Sequence, residues 1–256
     1  MIDVSAFVGP YPFRHLAHAT EEWLLAQMDR LEIDEAWVGH LPSFLYRDPG
    51  PGNTALFAAV SSESRLRPVP AVHPGLPEWQ AALESHAGRV PAVRTYPNYW
   101  GLDPAGVEMM SLAEAAAGVA CPLLLTVRFE DLRQRHHLDA VPDFPPSAVR
   151  ALARVGEGVR LVVTHADRSF IEEVHYGLTP DESERVLWDI SWIWGPPEEH
   201  LRHLIATLGP ARFVFGTGMP LRIPDSTVAR LDLLDLSKAD RRAIEEENVR
   251  SWLRNG

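Results

Sequence analysis

Short apolar runs alternate with amphipathic stretches along the whole chain, and eight such runs occur, at 2–7, 35–40, 67–73, 91–96, 122–128, 159–165, 186–191 and 212–216. Runs of this length, rich in Val, Ile and Leu and bounded by turn formers, read as buried strands. The stretches 21–31, 53–63, 77–87, 107–118, 147–155 and 197–208 carry apolar residues at helical spacing. Pro77-Glu78-Trp79 and Pro196-Pro197-Glu198-Glu199 read as helix openings, because proline and acids suit a first turn. Gly88, Gly118, Gly156 and Gly209 stand where helices should stop. Periodicity alone therefore gives an α/β fold. Eight units in regular order, with no linker or low-complexity tract, favour a closed (β/α)8 TIM barrel over an open doubly wound sheet, with 1–256 as a single domain.

Composition narrows the function classes. The net charge of −11 and the lack of any basic run argue against nucleic-acid and anionic-membrane partners. A strand-like segment from residue 2 leaves no space for a signal peptide, and no apolar run approaches a membrane span. The one cysteine, Cys121, lies in an apolar run and is expected as a buried thiol in a reducing compartment, so the expected location is the cytoplasm. Lys238 is the only lysine, and it sits in Ser237-Lys238-Ala239-Asp240, a Ser-x-x-Asp helix start. Schiff-base, pyridoxal and carboxylated-lysine chemistries each need a lysine in the site, so all three are set aside. The arginine excess reads as the mark of a GC-rich, bacterial genome.

In a barrel, function gathers at the C-terminal strand ends. Side chains alternate along a strand, and the outward set is apolar. Val93 outward leaves Arg94 and Tyr96 inward. Val127 and Phe129 outward leave Thr126, Arg128 and Glu130 inward. Trp188 and Ile190 outward leave Asp189 and Ser191 inward. Buried charges are costly unless paired. Arg94 and Arg128 therefore either pair with Glu130 and Asp189 or keep guanidinium groups for a substrate carboxylate, with Arg14 of the first loop joining them. Tyr11, Phe13, Tyr96, Tyr99, Trp100, Trp192 and Trp194 fall on loops and strand ends, where an apolar and cationic lining would suit a small aromatic or unsaturated acid.

The two ends carry a more specific signal. Ile2-Asp3-Val4-Ser5-Ala6-Phe7-Val8-Gly9 resembles the first strand of amidohydrolase-related, metal-dependent hydrolase-like barrels, which reads Ile-Asp-x-His-x-His-x-Gly. Gly216-Thr217-Gly218-Met219-Pro220 resembles their last strand, Gly-Ser/Thr-Asp-x-Pro. Between them, Arg94-Thr95-Tyr96-Pro97-Asn98-Tyr99, Val162-Val163-Thr164-His165-Ala166 and Asp189-Ile190-Ser191 resemble the fourth, sixth and seventh strands. Glu247-Asn248-Val249-Arg250, within the closing helix expected over 237–253, resembles the family's terminal helix.

The resemblance implies a barrel whose members hold a metal on two first-strand histidines, a fifth-strand histidine and a last-strand aspartate. Here those positions hold Ser5, Phe7, Thr126 and Gly218, a degenerate set. The expectation is therefore no metal and no other cofactor, with zinc entering only at a displaced site drawn from His40, His73, Glu130, His165 and Asp189. His136-His137 reads as a solvated turn. His165 matches the retained sixth-strand histidine.

Two functions follow as expectations. In the first, the chain is a hydrolase or a decarboxylase/lyase acting on a small carboxylate metabolite. His165, Glu130 and Asp189 would be its catalytic groups, and Arg94, Arg128, Tyr96 and Arg14 would bind the substrate. In the second, it is a catalytically inactive barrel that binds a metabolite or a partner protein. The aromatic-bearing loops leave room for a homodimer.

Overall fold

The computed structural model describes residues 1–194 and 199–253. Its strands run in chain order: β1 (Ile2–Val8), β2 (Glu35–His40), β3 (Leu66–Pro68), β4 (Val93–Thr95), β5 (Leu123–Thr126), β6 (Leu161–Thr164), β7 (Val186–Asp189) and β8 (Phe213–Val214). Parallel ladders join β1–β2–β3 and β4 through β8 in succession. The two arcs meet on both sides. Arg94 N donates to Pro70 O at 2.9 Å and Val72 N to Arg94 O at 2.8 Å, linking β3 to β4. Val4 N donates to Phe215 O at 3.1 Å and Phe7 N to Met219 O at 2.9 Å, linking β8 to β1. The sheet closes on itself, as the eight units led us to expect.

Local chemistry explains where the elements depart from the sequence reading. Regular pairing of β3 ends at Pro68, short of the expected 67–73, because Pro68 and Pro70 have no N–H for a ladder. Pairing of β8 ends at Val214, and the next N–H, from Phe215, goes to Ile244 O at 2.9 Å. The helices are α1 (Glu21–Leu31), α2 (Gly50–Val60), α3 (Trp79–His86), α4 (Val107–Gly118), α5 (Pro146–Ala153), α6 (Arg168–His175), α7 (Pro180–Ser183), α8 (Glu199–Leu208), α9 (Asp225–Asp232), α10 (Lys238–Arg242) and α11 (Asn248–Leu253). The start at Ser237 forms as expected, with Asp240 N donating to Ser237 Oγ at 3.0 Å. The closing helix is interrupted by a π turn over Ala243–Glu247, which supplies the Ile244 carbonyl to Phe215. The opening expected at Pro196-Pro197-Glu198 lies outside the described residues.

Packing divides the interior into levels. Ile2, Val4, Trp37, Leu124, Val162, Leu187 and Val214 fill the barrel, and Val249 of α11 packs beneath them with Trp252 and Leu253. A larger layer lies between strands and helices and includes Ala6, Val8, Val93, Leu125, Val163 and Trp188. Register slips between Asp3 and Ala6. Across that slip the even-numbered residues change sides: Val4 packs inside, Ala6 and Val8 pack outside. Phe7 accordingly joins a third cluster at the mouth with Tyr11, Phe44, Tyr96 and Phe129. The Phe44 and Phe129 rings lie 4.4 Å apart, so the mouth is stacked with aromatics rather than open.

Candidate active site

The four positions that matched metal ligands have other contacts here. Ser5 Oγ accepts a hydrogen bond from Gly218 N at 3.1 Å, so two of the four hold each other. The Arg94 guanidinium lies over the Phe7 ring at 4.4 Å and donates from Nη1 to Thr126 Oγ1 at 3.4 Å. A fixed cation thus contacts the other two. Asp3 ties the ends of the barrel: its carboxylate accepts Ser5 N (2.9 Å), Thr217 N (3.0 Å) and Thr217 Oγ1 (2.5 Å). Burial pushes the Asp3 pKa up to about 6, against those hydrogen bonds.

His165 follows directly on β6 with φ of 61°, a left-handed conformation uncommon for a side chain of this size. Its Nδ1 lies 2.8 Å from the carbonyl oxygen of Arg128. A carbonyl only accepts, so Nδ1 carries the proton, and in the neutral ring Nε2 carries the lone pair. Nε2 is buried with no partner, and burial lowers the pKa to about 4 with Asp189 opposing. Trp192 stacks on the imidazole at 5.4 Å.

Asp189 ends β7. Its Oδ1 accepts Ser191 N at 2.8 Å and Ser191 Oγ at 2.6 Å, while Oδ2 is buried without a partner. A Cβ on Gly216 would stand 2.9 Å from Asp189 Oδ2 and 2.8 Å from Ser5 Oγ, so only glycine leaves these two groups their present positions. Arg94 is fully buried, and its Nε and Nη2 have no hydrogen-bond partner. Among the described residues it forms no ion pair. Burial lowers its pKa, and the neighbouring Tyr96 hydroxyl opposes this.

The remaining sequence candidates lie farther out, already paired. Arg128 is clamped between Asp143 (2.7 Å) and Asp167 (2.5 Å), so its guanidinium is paired, though with partners other than the Glu130 and Asp189 that the sequence suggested. It reaches the site through its backbone carbonyl instead. Arg14 Nε donates to Glu130 Oε1 at 2.5 Å and Nη2 to Leu221 O at 2.8 Å, forming the rim of the mouth. Alternation failed for Arg128 and Glu130 because β5 ends at Thr126.

Sequence reasoning missed Arg222. Its guanidinium carbon lies 3.3 Å from the Trp192 ring centroid and 4.4 Å from that of Trp194. Burial, with Arg230 nearby, brings its pKa down to about 9. The only available signal was its place four residues after Gly218. A Cβ on Gly218 would stand 3.2 Å from His165 Nε2 and 3.3 Å from Arg222 Cδ, so the glycine lets these two side chains approach.

No family model and no curated protein matches the sequence. Solved structures do match the fold. The 5-carboxyvanillate decarboxylase of Sphingomonas paucimobilis is similar with a TM-score of 0.75 at 14% identity, over 99% of this chain and 98% of that one. A dihydroxybenzoic acid decarboxylase from Polaromonas sp. JS666 gives 0.73 at 13% identity, over 99% and 96%. A Pseudomonas putida protein assigned as a 2-pyrone-4,6-dicarboxylic acid hydrolase gives 0.69 at 22% identity, over 98% and 96%. This chain has their barrel fold. At such identities the likeness establishes the fold and leaves the chemistry to the site.

The similarity also corrects one expectation. The Polaromonas structure holds bound manganese, as do structures of a further 5-carboxyvanillate decarboxylase, so the expectation that this chain has no metal and no other cofactor does not stand. The residues at the ligand positions here nonetheless do not fit a divalent ion. Serine and threonine hydroxyls are weak donors, Phe7 and Gly218 offer none, and a guanidinium already contacts Phe7 and Thr126. Among the described residues, no group of three or more His, Cys, Asp or Glu side chains is placed to hold a metal ion, which includes the displaced set of His40, His73, Glu130, His165 and Asp189. His40 is bonded to Ser43 at 2.9 Å, and His73 stacks on Trp100 at 4.3 Å. No described helix is long and apolar enough to cross a membrane.

Proposed function

We propose that residues 1–256 form one barrel-domain enzyme, a hydrolase or a decarboxylase/lyase, whose substrate is a small carboxylate and whose metal-ligand positions are degenerate. One observation carries the reading. Two buried acceptors without partners, His165 Nε2 and Asp189 Oδ2, lie at the C-terminal strand ends beside an Arg94 guanidinium that has no ion pair. Leaving a buried polar group unsatisfied costs about 1–3 kcal/mol. Such a cost, concentrated where barrels place their chemistry, is a mark of a site that a ligand completes.

Each group has a distinct role. The Arg128 carbonyl keeps the proton on Nδ1, so Nε2 is the base, and the low pKa keeps it neutral at pH 7. Asp189 favours the imidazolium once Nε2 has taken a proton, and Arg94 offsets negative charge that develops on the substrate beside it. Tyr96 stands beside Arg94, and the Arg14–Glu130 pair frames the mouth. The solved barrels of the same fold support a carboxylate substrate, since two are described as decarboxylases and one as a hydrolase of a dicarboxylic acid.

The aromatic stacking of Phe7, Phe44 and Phe129 favours a second reading, a barrel that binds a metabolite without turning it over. Incubation with a panel of small aromatic and unsaturated carboxylates, with and without added manganese, separates the two readings when carbon dioxide and acid release are followed. We expect turnover of at least one compound, reduced on the order of 10²-fold in His165→Gln. No turnover under either condition, or equal rates for the variant, overturns the enzymatic reading.

A further inference from the structure

Of the guanidinium groups around the mouth, most are spoken for. Arg14 is held by Glu130 and Leu221, and Arg128 by Asp143 and Asp167. Arg230 donates to the carbonyls of Ser191, Ile193 and Ser226. Arg222 differs. Among the described residues its side chain forms no ion pair and no hydrogen bond, and its Nε is buried without a partner. What holds it is the face of Trp192, 3.3 Å beneath the guanidinium carbon, with Trp194 at 4.4 Å. Stacking of this kind fixes the plane of a guanidinium without using its N–H groups, which stay available at its edge.

Arg222 also lines a cavity of about 250 Å³ together with Phe129, Glu130, Trp194 and Ile223. On its inner side it borders His165, since one point, the site of a Cβ on Gly218, lies 3.3 Å from Arg222 Cδ and 3.2 Å from His165 Nε2. The stacked cation therefore stands between an outer cavity and the buried imidazole.

We infer that Arg222 is the anion-binding residue of this cavity, and that a small carboxylate docks with its charged end on the guanidinium edge. The polarity of the site sets the ligand's direction. His165 Nε2 presents a lone pair, so it repels a carboxylate oxygen and accepts a donor group or a water from the ligand's other end. A planar guanidinium edge matches the two oxygens of a carboxylate, which a point charge does not. The partly buried position strengthens the pair, because water competes less there. This inference deepens the proposed function, although binding by Arg222 needs no turnover.

Calorimetric titration of the full chain with benzoate and acetate, with neutral benzamide as the comparison, tests it. Both carboxylates bind the unaltered protein and benzamide binds more weakly. Arg222→Gln weakens benzoate about tenfold or more, the loss expected for one charge-assisted pair. Arg222→Lys, which keeps the charge and removes the planar edge, weakens it several-fold and decides the matter if the glutamine variant does not fold. Absence of carboxylate binding, or equal affinity in a folded Arg222 variant, overturns the inference. Binding that depends on Arg222 without turnover of any carboxylate leaves it standing and removes the enzymatic reading alone.

Discussion

The imidazole of His165 points Nδ1 at the carbonyl oxygen of Arg128, 2.8 Å away, and leaves Nε2 buried with no partner. A residue two places beyond β5 thus sets the protonation pattern of one at the end of β6. The Arg128 side chain, clamped by Asp143 and Asp167, anchors the segment that carries that carbonyl.

His165 and Asp3 should give opposite pH dependences of stability. The folded pKa of His165 is about 4, below the ordinary 6.5, so the unfolded chain binds more protons between these values and stability falls as pH drops. The folded pKa of Asp3 is about 6, above the ordinary 3.8, so the folded chain binds more protons and stability falls as pH rises through that range. Each shift corresponds to about 3 kcal/mol, and the two oppose each other across one window. Relative to the unaltered protein, His165→Gln should lose stability as pH rises from 4 to 6, and Asp3→Asn should gain it. Urea unfolding at a series of pH values gives both slopes, and parallel curves for all three proteins would refute the assignment.

Replacing Arg94 by methionine should stabilise the fold. The guanidinium is fully buried, with two nitrogens lacking partners and no carboxylate in an ion pair among the described residues, so the Thr126 bond and the Phe7 face offset only part of its desolvation. Methionine keeps the stem and removes the charge, for an expected gain of roughly 1–4 kcal/mol. A lower urea midpoint in Arg94→Met would show instead that the guanidinium holds the interior together.

Gly218→Ala should destabilise the protein by about 1–2 kcal/mol from backbone conformation alone. Gly218 has φ of 70°, and its added Cβ would come within 3.2 Å of His165 Nε2 and 3.3 Å of Arg222 Cδ. Thermal melting of the variant measures the loss, and an unchanged melting point would mean that the loop shifts freely.

Cys121 should be unreactive in the native protein. It is 6% exposed, and burial raises its thiol pKa to about 11, so little thiolate exists at pH 8. A disulfide reagent such as DTNB should label one thiol per chain only after unfolding. Rapid labelling of the folded protein would place Cys121 at the surface.

The elements that sequence alone located best are those with a local cause. Apolar runs, helix starts such as Ser237 and the spacing of eight units depend on residues near one another in the chain, and each appears close to where it was expected. Strand lengths proved less legible. Pro68 and Pro70 shorten β3 locally, but Phe215 leaves β8 because a carbonyl from residue 244 claims its N–H. The inward placement of Arg94 and Asp189 could be read from alternation on strands that stay regular. That of Arg128 and Glu130 could not, because β5 stops before them and their carboxylate and guanidinium partners come from other loops.

The sequence by itself determined the barrel, the residues at the four ligand positions and the presence of His165 on the sixth strand. Which side chains keep unpaired polar atoms was decided by tertiary structure. Pairing is a matter of distance in space: Asp143 and Asp167 take Arg128, Glu130 takes Arg14, and no carboxylate takes Arg94 or Arg222 among the described residues. The register slip in β1 that turns Phe7 inward, and the bare backbone of Gly218 between His165 and Arg222, likewise exist only once the strands have closed.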